Sequence, residues 1–193
     1  MRLRGLYAVT PEGGERIERV RRALEGGIAL LQYRSKKPDR RELQAIVRMA
    51  RGFGVPVIVN DHVELALDTG ADGVHLGRED EDLAAARRKM PQGILGASCY
   101  NDPARAAAVL RAGADYIAFG SVFRSPTKPQ AVHAPLELFR QKYPVPVAAI
   151  GGITLENAPQ VRDAGADLLA VLSDLFDAPD IAARAAQYRK LFA

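Results

Sequence analysis

The sequence predicts an α/β fold, a single compact (β/α)₈ barrel of the TIM-barrel type over residues 1–193. Short apolar strands alternate with helical segments at intervals of roughly 20–25 residues, and eight such pairs can be counted along the chain. The triplet Gly-Ala-Asp recurs at 70–72, 113–115 and 165–167, each time between a helix and the next strand. A doubly wound open sheet is the alternative, but that fold rarely needs eight consecutive units of such regularity.

Apolar runs and helical periodicity place each element in turn. Strands are expected at the short apolar runs 5–10, 29–34, 55–60, 73–77, 94–98, 115–120, 145–150 and 167–172. Helices are expected where apolar residues recur with helical spacing, at 15–24, 42–52, 63–69, 83–89, 103–111, 136–142, 155–164 and 181–191. Glycine readily adopts the left-handed conformation that ends a helix, so we expect Gly26-Gly27 and the three triplets to stop helices.

The composition is typical of a soluble globular protein, with 48% hydrophobic and 26% charged residues. No apolar run approaches the roughly 20 residues of a membrane span, and the amino terminus has no secretory apolar region. Cys99 is the one cysteine, so the chain cannot form an intrachain disulfide and does not require an oxidising compartment. We therefore expect a cytoplasmic protein that does not bind membranes.

The net charge of +4 raises the question of nucleic acid binding. The lysines and arginines are scattered along predicted helices, tryptophan is absent, and no row of aromatic residues could stack on bases. We expect small anionic molecules as partners and no nucleic acid. A homo-oligomer is compatible with the sequence, although the outer helix faces carry no clear apolar stripe beyond what the core needs.

Two aspartates follow neighbouring strands of the predicted barrel. Asp61 comes directly after the third strand, and Asp80 follows the fourth. Either residue alone would more often be a helix N-cap. Because the carboxyl ends of all barrel strands meet at one rim, where the active sites of such barrels lie, both carboxylates are expected there together. A carboxylate pair at this rim suits Mg²⁺ bound to a phosphate or diphosphate.

Other strand ends supply groups that bind anions. Arg34 and Lys36 after the second strand and Lys128 after the sixth are cations suited to phosphate oxygens. Neutral hydrogen bonds are expected from Asn60 and Ser98, and Gln32 also lies at the end of the second strand. The sequence thus predicts a metal-assisted anion site on strands two to five.

A second anion site is predicted on strands six to eight. Gly151-Gly152 precedes a helix and Ser173 follows the eighth strand, which matches the phosphate cup that barrels often build there. Two phosphorylated substrates fit this layout, one of them a diphosphate. Mg²⁺ makes a diphosphate a good leaving group, so the pattern favours alkyl transfer with loss of pyrophosphate.

Cysteine and histidine contribute little to this chemistry. Cys99 has no obvious histidine partner, so it is not expected to be a nucleophile. His75 lies inside a strand and is expected to form hydrogen bonds in the core. His62 and His133 lack the spacing of a metal site.

The chain resembles the thiamine-phosphate synthase family over essentially its whole length. The resemblance lies in the segments LYAVT, LLQYRSK, VIVNDHVELALDTGADGVHLGRED, ILGASCYN, ADYIAFGSVFRSPTKP and VAAIGGITLENAPQVRDAGAD. Members of this family are compact (β/α)₈ barrels. They join a hydroxymethylpyrimidine diphosphate to a thiazole phosphate, giving thiamine phosphate and pyrophosphate with Mg²⁺.

The resemblance implies a role for each matching residue. Asp61 and Asp80 correspond to the Mg²⁺ ligands. The expected catalytic residues are Arg34, Lys36, Ser98 and Lys128. Residues expected to bind the pyrimidine diphosphate are Gln32, Tyr33, Arg34, Ser35, Lys36, Asn60, Ser98 and Lys128. Those expected to hold the thiazole phosphate are Ser125, Pro126, Thr127, Gly152, Leu172 and Ser173. In the family's dissociative mechanism pyrophosphate leaves first and the thiazole nitrogen attacks the pyrimidine cation, without a covalent nucleophile.

The chain departs from the family pattern at three places. Pro11 stands where the family commonly has an aspartate, Ser35 where an acidic residue is usual, and Arg124 where a proline is usual. Two alternatives share the fold. The thiazole tautomerase branch moves a proton on the thiazole ring without Mg²⁺. It commonly lacks the acidic pair and places a histidine near the end of strand six, where this chain has Ser121. The other is a non-catalytic binder of thiazole phosphate or thiamine phosphate.

Overall fold

The computed structural model describes residues 3–123 and 133–193, and within them eight parallel strands close a barrel. Each strand pairs with the next one in sequence, and the first pairs with the last, so the predicted (β/α)₈ barrel is confirmed. The strands are β1 (Gly5–Val9), β2 (Leu30–Tyr33), β3 (Val57–Asn60), β4 (Gly73–Leu76), β5 (Ile94–Tyr100), β6 (Tyr116–Gly120), β7 (Val147–Ile150) and β8 (Leu168–Val171).

Helices surround this barrel. They are α1 (Arg16–Gly26), α2 (Arg40–Gly52), α3 (Val63–Thr69), α4 (Leu83–Lys89), α5 (Pro103–Arg111), a 3₁₀ helix (Leu136–Arg140), α6 (Ala158–Asp163), α7 (Ser173–Phe176) and α8 (Ile181–Lys190). Among the described residues, no helix has both the length and the apolar character needed to cross a membrane.

Three helical segments differ from the sequence prediction. The predicted helix at 136–142 is a short 3₁₀ helix, because its two core anchors Leu138 and Phe139 are adjacent and the chain becomes extended at Gln141. The helix predicted from 155 begins later, at Ala158, since the preceding residues form a loop held by side-chain hydrogen bonds. The four-residue helix α7 was not predicted, because a single turn has no periodicity to detect.

The barrel interior is filled by side chains that alternate along the strands with those facing the helices. Tyr7 and Tyr116 enter this interior, and their rings meet edge to face with centroids 5.8 Å apart. Gly96 provides the space, because a Cβ atom at this position would lie 2.0 Å from the Tyr116 ring. The interior therefore accommodates two tyrosines in a layer where most barrels place aliphatic residues.

The Gly-Ala-Asp triplets close the amino end of the barrel. Their glycines have positive φ angles, as predicted, with Gly70 at +69°, Gly113 at +96° and Gly165 at +116°. Each aspartate that follows joins its strand to the preceding one, since its own N–H donates to a carbonyl there and its carboxylate accepts that residue's N–H. The partners are Val57 for Asp72 (carboxylate contact 2.7 Å), Leu95 for Asp115 (2.8 Å) and Val147 for Asp167 (3.0 Å).

Candidate active site at the carboxyl end of the barrel

An acidic pair lies at the carboxyl ends of β3 and β4. Asp61 adopts a left-handed backbone conformation, with φ at +65°, while its N–H donates to the carbonyl of His75 at 2.9 Å. The amide of Asn60 donates to the Asp61 carboxylate at 2.5 Å, and the N–H of Gly77 donates to the Asp80 carboxylate at 2.6 Å. Both carboxylates are thus held in place by the strand ends from which they emerge.

Neither aspartate caps a helix. The N-cap of α3 is His62, which makes no side-chain capping bond, and the cap of α4 is Asp82. A left-handed conformation is unfavourable for a residue with a side chain, and such strain tends to occur at functional sites. The helix-cap alternative raised by the sequence therefore does not describe these two residues.

The two carboxylates interact directly. Burial and then the hydrogen bond and charge of Asp80 raise the pKa of Asp61 to about 6, although the positive charges of His62 and Arg34 act in the opposite direction. Two like charges held this close destabilise each other unless a proton or a cation lies between them. Arg34 lies near the acidic pair, since its charge acts on the pKa of Asp61.

A divalent cation fits this pair. Among residues 3–123 and 133–193, no group of three or more histidine, cysteine, aspartate or glutamate side chains is arranged to hold a metal. Mg²⁺ commonly takes only one or two carboxylates and completes its shell with water and substrate phosphates. The two carboxylates offer such an ion hard oxygen ligands. The ion would in turn relieve the mutual repulsion that contributes to the raised pKa of Asp61.

The segment after β2 is fixed by the loop after β1. The hydroxyl of Thr10 accepts from the N–H of Arg34 at 2.9 Å and donates to its carbonyl at 3.0 Å. The Glu12 carboxylate accepts from the N–H of Lys36 at 2.7 Å and from the Ser35 hydroxyl at 3.4 Å. A carboxylate thus reaches Ser35 from another loop, at the position where the family usually has an acidic residue.

The Tyr33 side chain lies on the helix-facing side of the sheet, away from the barrel interior and its open carboxyl end, the barrel mouth. Its side chain is buried between the sheet and helices α1 and α2, where its hydroxyl donates to Glu42 at 2.8 Å and its ring contacts the Arg16 guanidinium. Arg16 is also buried and forms an ion pair with Glu42. The Tyr33 side chain therefore supports the rim from behind and does not reach the mouth.

Gln32 and Ser98 face the barrel interior and are linked through it. Gln32 donates to the hydroxyl of Tyr7, and Ser98 bonds to the ring of His75 at 2.8 Å. The expectation that His75 forms hydrogen bonds in the core is confirmed, and burial lowers its pKa to about 4, so the ring is neutral. Burial also raises the pKa of the Cys99 thiol to about 11, which leaves it protonated and a poor nucleophile.

The predicted phosphate cup lies at the ends of β7 and β8. Gly151 and Gly152 both have positive φ angles, at +106° and +62°. The Asn157 side chain shapes the loop after them, since it donates to the Gly152 carbonyl and accepts from the N–H of Thr154, both at 2.9 Å. The other two predicted cup residues, Leu172 and Ser173, lie where β8 ends and α7 begins.

Four predicted site residues lie outside the described part of the chain, together with Arg124. These are Ser125, Pro126, Thr127 and Lys128. The residues on either side are anchored at the rim, since the Ser121 hydroxyl donates to the Phe123 carbonyl at 2.6 Å and the Ala134 N–H donates to the Ser121 carbonyl at 2.9 Å.

Sequence reasoning missed several residues that shape the site. Glu12 and Thr10 had no local signal, because their partners lie more than 20 positions away. Asn157 could have been found, since Thr-x-x-Asn before a helix is a turn and capping pattern. Ile150 could also have been found from strand alternation, because it follows the interior residue Ala148 by two positions and is 40% exposed at the mouth.

Comparisons with known proteins find thiamine-phosphate synthases that are similar to this chain over nearly its whole length. The family model described as thiamine monophosphate synthase matches residues 6–175. A thiamine-phosphate synthase from Aromatoleum aromaticum is 60% identical over 99% of this chain and 97% of its own length. One from Bordetella pertussis is 51% identical over 94% of this chain and 91% of its own. The solved thiamine phosphate pyrophosphorylase from Pyrococcus furiosus has a TM-score of 0.86 and 35% identity, covering 97% of this chain and 94% of that one.

Proposed function

The chain belongs to the thiamine monophosphate synthase family, and on that premise we propose that it joins a hydroxymethylpyrimidine diphosphate to a thiazole phosphate. Its activity is thiamine-phosphate synthesis, a transferase reaction of thiamine biosynthesis. The products are thiamine phosphate and pyrophosphate. We also propose that the enzyme acts in the cytoplasm, on small molecules alone.

The acidic pair carries this proposal. Asp61 and Asp80 would hold Mg²⁺, and the bound ion would neutralise charge on the diphosphate and so improve it as a leaving group. Asn60 would orient Asp61 through the hydrogen bond between their side chains. The position of Arg34 beside the pair supports its assignment to the diphosphate, since a guanidinium can bind two phosphate oxygens at once.

The remaining diphosphate contacts come from β2, β5 and the loop after β6. Lys36 would add a mobile cation, with its backbone held by Glu12, and Ser98 would add a hydroxyl from the interior side. Lys128 is assigned to the same anion from its sequence motif. The thiazole phosphate would lie in the cup of Gly152, Leu172 and Ser173, with Ser125, Pro126 and Thr127 assigned to it by motif alone.

The reaction needs no covalent nucleophile from the protein. The bond between the pyrimidine methylene carbon and the diphosphate oxygen breaks, and its electron pair leaves with pyrophosphate. The thiazole nitrogen then forms the new carbon–nitrogen bond with its lone pair. The protein's work is to stabilise the departing charge and to exclude water from the cation. The exposed side chain of Ile150 offers apolar surface at the mouth for that exclusion.

Release of pyrophosphate tests the proposal. The protein should release pyrophosphate only when both phosphorylated heterocycles and Mg²⁺ are present, and EDTA should abolish the release. Release from the pyrimidine diphosphate alone would indicate a hydrolase. If pyrophosphate is not released but thiazole phosphate still binds, the proposal is wrong, and proton exchange on the thiazole ring would then distinguish a tautomerase from a silent binder.

A further inference from the structure

Five polar side chains form a continuous chain of hydrogen bonds across the barrel interior. Gln32 donates from its amide nitrogen to the Tyr7 hydroxyl at 2.6 Å, and the Tyr7 and Tyr116 hydroxyls lie 2.7 Å apart. The Tyr116 hydroxyl lies 2.8 Å from Nδ1 of His75, and Nε2 of the same ring lies 2.8 Å from the Ser98 hydroxyl. This hydrogen-bond chain runs between β2 and β5 and ends in two predicted substrate-binding residues.

The chemistry of the donors gives this chain a direction. The amide nitrogen of Gln32 can only donate, so the Tyr7 oxygen accepts there and its proton is available for Tyr116. The Tyr116 proton then goes to Nδ1 of His75. Because Nδ1 accepts this proton, the ring must carry its own proton on Nε2. His75 therefore donates to Ser98, and the proton of Ser98 remains available to the barrel mouth.

The surroundings hold the three central rings in place. Tyr116 stacks on His75 with centroids 5.5 Å apart, and it meets Tyr7 edge to face. Tyr7 and Tyr116 are 1% and 0% exposed, and His75 is 7% exposed. In the described residues every buried side-chain nitrogen and oxygen atom has a hydrogen-bond partner. A reversal would therefore require all five groups to change together, because one reversed member would leave two donors or two acceptors facing each other.

We propose that Tyr7, Tyr116 and His75 are positioning residues that hold His75 as its Nε2–H tautomer and thereby make Ser98 a hydrogen-bond donor toward the bound diphosphate. The proposal deepens the proposed function and rests on it for the identity of the anion. An anionic oxygen needs a donor, and a Ser98 hydroxyl that already accepts from His75 offers one. At the other end of the hydrogen-bond chain Gln32 presents an acceptor, because its amide nitrogen is used on Tyr7 and its carbonyl oxygen remains for an N–H group of the substrate.

The reverse direction would change the site. With Nδ1 of His75 protonated, Ser98 would donate to Nε2 and present only lone pairs to the diphosphate, which repels them. Gln32 would then present its amide N–H groups instead of its oxygen. The two directions exchange the amide nitrogen and oxygen of Gln32 and otherwise differ only in the positions of protons, so the tautomer of His75 is the observable that separates them.

Nitrogen-15 NMR of the free, full-length protein tests the direction without any substrate. The chain has three histidines, and replacing His62 and His133 one at a time by glutamine assigns the signals of His75. At neutral pH we expect a protonated Nε2 and an unprotonated Nδ1. A protonated Nδ1, or an equal mixture of the two tautomers, overturns the proposal whether or not the protein is a synthase.

The Tyr116→Phe variant tests the consequence for catalysis, with Tyr143→Phe as its control. Among the described residues the Tyr143 hydroxyl hydrogen-bonds to Gln141 alone, which is not part of the hydrogen-bond chain. Without the Tyr116 hydroxyl, His75 should populate both tautomers. Loss of one buried hydrogen bond corresponds to roughly a tenfold decrease in kcat. KM for the thiazole phosphate should stay within about twofold, because that substrate contacts the other side of the mouth.

Tyr7→Phe supplies a second, milder variant. It removes the hydroxyl that fixes the direction but leaves Tyr116 able to donate to His75, so the decrease in kcat should lie between those of Tyr143→Phe and Tyr116→Phe. If Tyr116→Phe keeps the Nε2–H tautomer of His75, or matches Tyr143→Phe in kcat, the positioning role is contradicted. A wild-type protein with the expected tautomer but no synthase activity would refute the proposed function and leave the direction of the chain intact.

Discussion

The two ends of the barrel use aspartate in opposite ways. At the amino end Asp72, Asp115 and Asp167 each accept a backbone N–H from the neighbouring strand, at 2.7 to 3.0 Å. At the carboxyl end Asp61 and Asp80 face each other, and burial together with the hydrogen bond and charge of Asp80 raises the pKa of Asp61. The same residue type therefore satisfies the backbone at one end and creates an unbalanced charge at the other. An unbalanced charge at a strained residue indicates a binding site, whereas a satisfied one indicates a structural role.

The largest effect is expected from Asp61→Asn. Turnover with Mg²⁺ should fall on the order of 100-fold, because a metal ligand is weakened. The free energy of unfolding without Mg²⁺ should not fall, since the substitution removes a repulsion. Pyrophosphate release over a range of Mg²⁺ concentrations and urea unfolding measure the two quantities. Near-normal activity at limiting Mg²⁺ would remove Asp61 from the metal site.

Lys128→Ala should have the next largest effect on activity. If this lysine binds the diphosphate, turnover should fall by roughly tenfold or more, because a cation on the departing charge stabilises the transition state. Calorimetry should show that thiazole phosphate binding changes less than turnover. The reverse order would assign Lys128 to the thiazole phosphate.

At the amino end the expected change is in stability. Asp167→Ala leaves the buried N–H of Val147 without its carboxylate acceptor, so the free energy of unfolding should fall by about 1–3 kcal/mol. Turnover of the folded variant should stay within about twofold of the wild type, because the substitution lies at the end opposite the site.

Asp163→Ala is the matched control for this prediction. Its carboxylate is exposed and, within residues 3–123 and 133–193, pairs only with Arg162 on the surface of α6, so the loss should not exceed about 0.5 kcal/mol. Equal losses in the two variants, or a large drop in the turnover of Asp167→Ala, would mean that the amino end is not simply structural.

In the wild type, the smallest effect is expected from the pH dependence of stability. The pKa of His75 is lowered from 6.5 to about 4, so the unfolded chain binds a proton first and stability should fall as the pH drops through that window. The pKa of Asp61 is raised from 3.8 to about 6, so the native state binds a proton first and stability should rise over a similar range. The two contributions oppose each other in the wild type.

Single variants should reveal each contribution in urea unfolding. Asp61→Asn should lose up to about 1.4 kcal/mol per pH unit on acidification, from His75 alone. His75→Gln should show a slope of the opposite sign, and a shallower one because Asp61 is partly exposed to solvent. Parallel pH profiles for the wild type and both variants would contradict the pKa shifts on which this prediction rests.

The barrel itself could be predicted from the sequence because its signals are local. Apolar runs of strand length occur eight times and the Gly-Ala-Asp triplet occurs three times, and the observed strands lie within about two residues of the predicted ones. The rim positions of Asp61 and Asp80 followed from the strand ends. The single turn of α7 and the late start of α6 did not, since neither has a periodic pattern.

The interior of the site could not be predicted, because its contacts join distant positions. Tyr7 and Tyr116 are 109 residues apart, and only the closed barrel brings their hydroxyls together. Glu12 reaches Lys36 across 24 residues, which no local motif indicates. The orientation of Tyr33, in contrast, could have been predicted. Side chains alternate along a strand, so a Gln32 that faces the barrel interior puts Tyr33 on the helix-facing side.

Thermal unfolding with Mg²⁺ and inorganic pyrophosphate tests the difference between the two ends most directly. The midpoint of the wild type and of Asp167→Ala should rise by the same amount on addition of both, because a ligand that binds only the native state stabilises it. The midpoint of Asp61→Asn should rise little or not at all. An equal rise in Asp61→Asn would show that the anion and the metal bind elsewhere and would contradict the functional role of the acidic pair.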